Sequence, residues 1–462
     1  MTNTQYKIHA NPEYRGHPFI EALPLRLDFK EFCSRFRKRG DLNPENRTRP
    51  TAERLELLDT LNGFFVPMPR HYDLYDTIHS VMQRGYLGRN PTDPRYLFSI
   101  KEKRRAVKDA YTMPPPIRGR GGYALIGCSG IGKSSAVERI LALFPEVIKH
   151  SVYNKKRISC YEIPAIHVSA DKSSSIKSMC LQCFAKIDAL IGTNYCHIYG
   201  RQATDGMVAA LATICYLHGI GLIVLDEIQE LALTRSGGVN AIVSFFLHLT
   251  NRVSTPLLFV GTPQALLFMR QELRYIRRSS GIPEWRPLEP ESSEWDVFMG
   301  EMWKYQYTNT PTDITPELKA QFHRLVKGVP EIAIELYRQG QRKLIQTNMK
   351  NKPEVIDARI IENVALSSLT REIEALRPLD EPIPVAQRAT DLPSPILLPA
   401  KPRKKKQTQS ETDPCPDSGD EPASMPGQSE VPCKRQEGSK SVQPDALVQP
   451  ADIKDPLELM KG

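Results

Sequence analysis

The sequence predicts an α/β fold built on a parallel sheet, followed by a small all-helical domain and a C-terminal tail that does not fold. Three observations carry this. From about Tyr123 to Gly281, short apolar runs alternate with stretches of helical periodicity, the pattern of strands joined by crossover helices in a parallel sheet. Beyond "GIPEWRPLEP" (281–290), a cluster of turn signals, the periodicity is helical only. Residues 381–462 hold 14 of the 38 prolines and no Phe, Trp or Tyr, too little apolar surface to offset the entropy of folding.

The elements follow in order. Residues 1–65 are polar, basic and irregular with one helix in "DFKEFCSRFRKRG", and are assigned as a partner-binding extension. The α/β domain spans 66–285. It opens with "YDLYDTIHSVMQRGYLGRNP", a helix running into a turn at Gly88, and continues as strand, glycine-rich loop, helix, strand ("IPAIHVSA"), two helices, acid-tipped strand, helix, strand and helix. The helical domain, 286–380, holds four helices: "ESSEWDVFMGEMWKYQ", "TPELKAQFHRLVKG" with Thr315 as N-cap, "VPEIAIELYRQGQRKLIQ" with Pro330 in its first turn, and "KPEVIDARIIENVALSSL". The tail, 381–462, ends in "ADIKDPLELMKG", whose Ile453, Leu457, Leu459 and Met460 are apolar anchors on a disordered tether. No internal repeat is evident.

Composition sets the bounds. A chain of 462 residues has room for two or three domains. No run of ~18 apolar residues is present, so no membrane span is expected, and the N-terminus lacks the apolar core of a signal peptide. Nine cysteines without a framework suit a reducing cytoplasm. A formal net charge of +9 mildly favours a polyanionic partner. "CLQC" (180–183) has metal-ligand spacing, but Ile176, Met179, Cys180, Cys183, Phe184, Ile187 and Leu190 repeat at helical spacing, which places both thiols on a buried stripe.

The chemistry concentrates in "ALIGCSGIGKSS" (124–135). Gly127, Gly132, Lys133 and Ser134 fit G-x-x-x-x-G-K-[ST], between an apolar strand and an amphipathic helix. Such a P-loop turns backbone N–H groups inward around a phosphate, its lysine neutralises the β/γ charge, and its first serine reaches Mg²⁺. The nucleotide-contacting set is therefore Gly127, Cys128, Ser129, Gly130, Ile131, Gly132, Lys133, Ser134 and Ser135. In "GLIVLDEIQEL" (221–231) a buried parallel strand ends in two acids. Asp226 serves the magnesium with Ser134, and Glu227 polarises the attacking water. "PLLFVGTP" (256–263) is another apolar strand, and Thr262 at its end is placed to reach the γ-phosphate or the water.

A phosphate loop, an Asp–Glu strand end and a helical lid look like an AAA+ ATPase. Shorter motifs narrow the resemblance. "HPFIEALPL" (17–25), "RGYLGRNP" (84–91), "LDEIQEL" followed by "RSGG" (235–238), "VGTP" and "RRSSG" (277–281) together resemble the TnsC-type regulators of bacterial cut-and-paste transposons, over about residues 17–370. TniB proteins share the core more loosely. The resemblance implies a bacterial, cytoplasmic ATPase that uses ATP and Mg²⁺. It assembles as a ring or helical filament on double-stranded DNA, meets a target-selecting protein, and recruits transposase and endonuclease subunits through its C-terminal end. It also implies that Tyr86, Leu87 and Arg89 close over adenine, although "RGYLGRNP" reads equally as a folding turn. Arg274, Arg277 and Arg278 qualify as the arginine that reaches into a neighbouring subunit's site, and each also reads as a solvated charge. One departure is visible: where many AAA+ lids carry a sensor arginine this chain has "GVPE" (328–331), which leaves that role to Arg338 or Arg342.

DNA contact is expected from loops of the α/β domain, with Lys155, Lys156, Arg157 and Arg235 favoured over the basic runs at 35–40, 101–105 and 401–406. Each cluster also reads as a solvated face. Two other functions stay open at this level: a replication-type loader or initiator on the same core, and a scaffold that binds ATP without hydrolysing it.

Overall fold

A computed structural model describes residues 4–37, 41–96, 98, 122–172, 174–231, 255–264, 284–347, 352–374 and 376. At its centre is a five-stranded sheet in the order β1-β5-β4-β3-β2. Its strands are β1 (Gly122–Ile126), β2 (Ile148–Tyr153), β3 (Lys156–Ser169), β4 (Ile220–Asp226) and β5 (Leu257–Gly261). β1, β5, β4 and β3 run parallel, as the alternating pattern predicts. β2 is the exception. It pairs antiparallel with the first half of β3 through a turn in which Asn154 and Lys155 both have positive φ, the backbone of a tight two-residue hairpin. The sequence reading began that strand at Ile163 and missed the hairpin, because "SVYNKKRIS" carries no glycine to mark it.

The central strand explains the layering. Every residue of β4 is buried, and successive side chains point to opposite faces. Ile223 and Leu225 join Leu257 and Phe259 of β5 under helices α6 (Ile176–Ile191) and α7 (Thr204–Leu217). Leu222 and Val224 join Leu258 and Val260 under α4 (Pro69–Tyr86) and α5 (Lys133–Leu141). Cys180 and Cys183 lie in the buried stripe of α6, and burial raises the Cys180 thiol to about 12. That helix starts where the Ser175 hydroxyl accepts the Ser178 N–H and ends at Gly192 in the left-handed region.

The first 65 residues do not form a layer of their own among the described residues. Helices α1 (Pro18–Ala22) and α2 (Phe29–Phe36) send Phe19, Ile20, Phe32 and Phe36 into the α4/α5 side of the sheet. Helix α3 (Thr51–Leu58) and the segment after it send Leu58, Leu61, Phe64, Val66 and Met68 into the helical domain. There they meet Trp295 of α8 (Ser293–Trp303), Phe322 of α9 (Pro316–Val326), Leu336 and Tyr337 of α10 (Pro330–Thr347) and Ile361 of α11 (Ala358–Ser368). Thr315 caps α9 by accepting the Leu318 N–H at 3.2 Å, and Pro330 opens α10, both where the sequence places them.

A buried ion pair pins α3 to the helical domain. Arg54 donates Nη1 to Glu354 Oε2 at 2.5 Å and Nη2 to Oε1 at 3.0 Å, and its Nη1 also reaches the Tyr307 carbonyl. Both side chains are nearly inaccessible. Removing one partner strands the other charge, so Arg54→Ala should cost about 3–5 kcal/mol. Urea unfolding would read this directly, and a loss under 1 kcal/mol would mean the pair is solvated in solution.

Two histidines tie stability to pH. His71 Nδ1 accepts the Met68 N–H at 3.0 Å at the start of α4, and burial, with Arg70 and Arg139 nearby, lowers its pKa to about 3. Burial likewise lowers His17 to about 4, against the pull of its bond to the Tyr86 carbonyl. Both folded values lie below the ordinary 6.5. The stabilisation is therefore complete above about pH 6.5 and drains away as pH falls toward 4, by about 1.4 kcal/mol per group per pH unit. Between pH 7 and 5 the two together should remove roughly 4 kcal/mol. His71→Gln keeps an acceptor for Met68 and should abolish its own share of the loss, roughly 2 kcal/mol. Equal urea midpoints at both pH values for the unsubstituted protein would show that these rings are not buried as neutral groups.

Candidate functional site

The site lies at the carboxyl ends of β1, β4 and β5. Residues 127–132 bridge β1 to α5. Gly127 donates its N–H to Gly261 of β5 at 3.2 Å and forms a parallel bridge with Trp285. A Cβ at this position would meet the Trp285 carbonyl at 2.6 Å, so only glycine fits. Gly132 sits at φ 91°, the left-handed turn from which α5 departs. The free N–H groups of the first turn of α5 then face the loop's interior.

Lys133 is 5 % exposed and folded back along the loop, donating Nζ to the carbonyls of Gly127 at 3.0 Å and Cys128 at 2.8 Å. Burial lowers its pKa, opposed by the charges of Glu227, Asp226 and Glu331 and by Cys128. Ser134, in the first turn of α5, helps to lower the pKa of the Asp226 carboxylate. A hydroxyl and a carboxylate oxygen brought together beside a phosphate loop form a hard-oxygen donor set that fits Mg²⁺. Ile131 is buried as packing beneath the loop, Ser129 and Ser135 are exposed, and Cys128 is half-buried with its thiol pushed up by burial.

Asp226 closes β4 and is almost fully enclosed. Its Oδ1 accepts the Glu227 N–H at 2.8 Å, and its Oδ2 lies 3.2 Å from His167 Nε2 on β3. Burial alone would raise this carboxyl, but His167, Ser134 and the Glu227 N–H outweigh it and hold the group below the ordinary carboxylate range. Glu227 follows at φ 51°, ψ 38°, a left-handed conformation uncommon outside glycine. Its carboxylate accepts the Gln229 side-chain amide, whose oxygen in turn accepts the Thr262 N–H at 3.1 Å. Thr262 Oγ1 is buried with no hydrogen-bond partner among the described residues.

Glu227, Gln229 and Thr262 face a cleft of about 1080 Å³. Cys128, Ser129 and Gly130 form one wall, Glu227, Gln229 and Thr262 a second, Glu331 and Glu335 of α10 a third, and Leu61 and Asn62 a corner. The helical domain closes on the loop through "GVPE": the Glu331 N–H donates to the Gly130 carbonyl at 3.2 Å. The start of α10 thus faces the cleft but brings a carboxylate. Arg338 pairs with Glu335 of the cleft wall at 2.7 Å and also with Asp59, and Arg342 pairs with Asp59.

Tyr86 and Arg89 correct the sequence expectation. Both are buried at the opposite ends of the strands. The Tyr86 hydroxyl donates to the Gly219 carbonyl at 2.9 Å, and Arg89 Nη1 donates to Ile220 O at 2.7 Å and Thr255 Oγ1 at 3.0 Å. Leu87 is half-buried against the same core. Six residue steps along β4 separate Ile220 from Asp226, roughly 20 Å of extended chain, so this trio cannot close over a base held at the loop. Arg89 spends Nη1 on the Ile220 carbonyl and the Thr255 hydroxyl and Nε on the Gly85 carbonyl, all remote from the loop. "GYLGRNP" is a folding turn.

Lys155, Lys156 and Arg157 are exposed at the tip of the β2–β3 hairpin, beyond the strand ends remote from the loop. Arg235, Arg274, Arg277, Arg278, Ile453, Leu457, Leu459 and Met460 lie outside the described residues. Gln229 and His167 are the site residues the sequence reading missed. Gln229 stood inside the quoted acidic stretch. His167 was the one ionisable residue in the apolar strand "IPAIHVSA", and that was its signal.

A family model described as an AAA domain matches residues 117–269. Together with the sheet, loop and helical domain, it defines an AAA+ P-loop core. Among solved structures the chain is similar to the ORC2 protein of Aeropyrum pernix in ADPNP–ADP complexes, at 13 % identity over 62 % of this chain and 71 % of that one, TM-score 0.35. It is also similar to a RuvB variant of Thermotoga maritima, at 15 % over 61 % and 70 %, TM-score 0.31. For Cdc6p of Pyrobaculum aerophilum the identity is 13 % over 58 % and 65 %, TM-score 0.33. No curated protein matches the chain. No helix among the described residues is long and apolar enough to cross a membrane.

Lys133→Ala should leave the thermal midpoint nearly unchanged, because the ammonium is desolvated and bonds only two loop carbonyls. It should weaken binding of a fluorescent ATP analogue at least ten- to a hundredfold, about the worth of a lost charged hydrogen bond. Binding at full affinity would move the phosphate site elsewhere.

Proposed function

We propose that this chain is a Mg²⁺-dependent ATPase that assembles on double-stranded DNA and regulates transposition, in the manner of the TnsC-type proteins its motifs resemble. The observation that carries the hydrolytic part is that Glu227 and Thr262 line one cleft with the loop residues Cys128, Ser129 and Gly130, while Lys133 folds back on that loop and Asp226 bonds the Glu227 N–H. In this reading the loop's N–H groups and the start of α5 bind the β-phosphate, and Lys133 swings from its two carbonyls to the β/γ oxygens. Ser134 and Asp226 hold Mg²⁺. Bound Mg²⁺ supplies positive charge that neutralises the phosphate oxygens. Glu227 orients the attacking water and draws on its proton, and the Thr262 hydroxyl donates to the γ-phosphate or holds that water. An arginine from a neighbouring copy, Arg274, Arg277 or Arg278, completes the charge stabilisation.

The transposition role rests on the specific N-terminal motifs. "HPFIEALPL" and "RGYLGRNP" lie some 60 residues apart in sequence yet form one packed unit. His17 Nε2 bonds the Tyr86 carbonyl at 2.8 Å, Asn90 Nδ2 bonds the Gly16 carbonyl at 3.0 Å, and Phe19 packs 5.4 Å from the Tyr86 ring. The net charge of +9 suits a duplex partner, with Lys155, Lys156 and Arg157 on the exposed hairpin as phosphate contacts. Residues 451–462 recruit transposase and endonuclease subunits, and a target-selecting protein sits on the assembled ring or filament.

Glu227→Gln tests the reading. It should bind ATP normally and lose about a hundredfold or more in turnover, the usual contribution of a general base. On duplex DNA its ATP-dependent polymers should outlast those of the unsubstituted protein in electron micrographs. Turnover at the original rate would remove Glu227 from the chemistry, and a failure of either protein to form ATP-dependent assemblies on duplex would overturn the DNA-polymer role.

A further inference from the structure

We propose that Gln229 is a positioning residue that ties the Glu227 carboxylate to the end of β5, so that Thr262 and Glu227 move as one unit. The proposal rests on the reading of Glu227 as the group that draws on the water's proton. Gln229 lies in the single turn Ile228–Glu230 directly after β4. Its amide is used at both ends in opposite senses: Nε2 donates to Glu227 Oε2, and Oε1 accepts the Thr262 N–H at 3.1 Å. A carboxylate needs a donor and a backbone N–H needs an acceptor, so chemistry dictates which way this amide points. One side chain therefore spans the ends of two neighbouring parallel strands.

The backbone beneath it is held independently. Glu227 keeps its left-handed conformation because its N–H is bound by Asp226 Oδ1 and its carbonyl accepts the Glu230 N–H, each at 2.8 Å. Such a conformation persists only where the surroundings over-determine it. These bonds fix where the side chain starts, and Gln229 fixes where its carboxylate ends. The third partner gives the link its consequence. Thr262 Oγ1 is buried, faces the same cleft and is left without a hydrogen bond among the described residues. A phosphate oxygen that engages this hydroxyl pulls on a residue whose own N–H is bonded, through one amide, to the carboxylate. Occupancy at the end of β5 is thus transmitted to Glu227 without any movement of the phosphate loop.

Gln229→Met keeps the length of the side chain and removes both hydrogen bonds. It should leave the thermal midpoint and the affinity for a fluorescent ATP analogue unchanged, and lower kcat roughly ten- to a hundredfold, the effect of a lost hydrogen bond to a charged group. Gln229→Glu, which sets a second carboxylate against the first, should lower kcat at least as far. In the Glu227→Gln background, Gln229→Met should slow single-turnover hydrolysis no further, because Gln229 acts only through Glu227. Wild-type kcat in both single variants, or an undiminished further loss in the double variant, overturns the proposal. Glu227→Gln at the wild-type rate is a separate result: it removes the reading of Glu227 itself, whatever Gln229 does.

Discussion

The structure depends on one backbone junction at the end of β1. Gly127 is flanked on one side by Gly261 of β5 and on the other by Trp285, whose N–H returns to the Ile126 carbonyl at 2.8 Å. The chain passes so closely there that a single methyl group would strike the Trp285 carbonyl. Three parts of the molecule are fastened by it. The phosphate loop leaves from it, β5 delivers Thr262 beside it, and the segment into the helical domain begins at it. Trp285 also carries the constraint outward, meeting His71 edge-on at 5.3 Å with Arg70 above its ring, which fixes the first turn of α4.

The cleft this junction organises is electrostatically unbalanced. Lys133 is its buried cation, and the starts of α5 and α10 add partial positive charge. Against these stand Asp226, Glu227 and Glu331, while Glu335 is paired with Arg338. Asp226 is held below the ordinary carboxylate range even while enclosed, with the Glu227 N–H and His167 bonded to it. Carboxylates gathered around a phosphate loop make sense beside a ligand that brings its own cation. The helical domain contributes to this through Glu331, whose N–H bonds the loop at Gly130, while Arg338 pairs with Glu335 and Asp59 and Arg342 with Asp59. Contact between lid and loop is made by backbone and carboxylate rather than by an arginine.

At the other end of the strands, a second polar cluster serves architecture. Glu21 accepts the Gly16 N–H at 2.8 Å and the Tyr153 hydroxyl at 2.8 Å. His17 and Arg89 spend their donors on backbone carbonyls around it. Glu21 of the first motif therefore ties down the β2–β3 hairpin beside its turn, at Tyr153. The exposed Lys155–Arg157 tip is thus presented from a rigid base. The bonds made by His17, Glu21 and Arg89 specify a single register between segments far apart in the chain.

The sequence by itself determined the parallel strands, the phosphate loop, the acid pair at the end of β4 and the capped helices of the second domain. Each of these is written in local chemistry: two-sided apolar runs, glycines at fixed spacing, Thr315 before a helix, Pro330 in a first turn. Only the tertiary structure decided what the remaining polar residues face. Nothing local distinguishes an Arg89 that reaches adenine from one buried against Ile220, because the difference lies in which strand end stands 130 residues away. The hairpin at Asn154–Lys155 was hidden because two non-glycine residues take positive φ there. The N-terminal segment looked separate because its apolar residues are sparse, yet Phe19 and Phe32 complete one core and Leu58 and Leu61 another. Gln229 stood in plain view within "LDEIQEL", but its partner Thr262 is 33 residues further on. Hydrogen bonds made across strands depend on register and proximity, and a one-dimensional pattern carries neither.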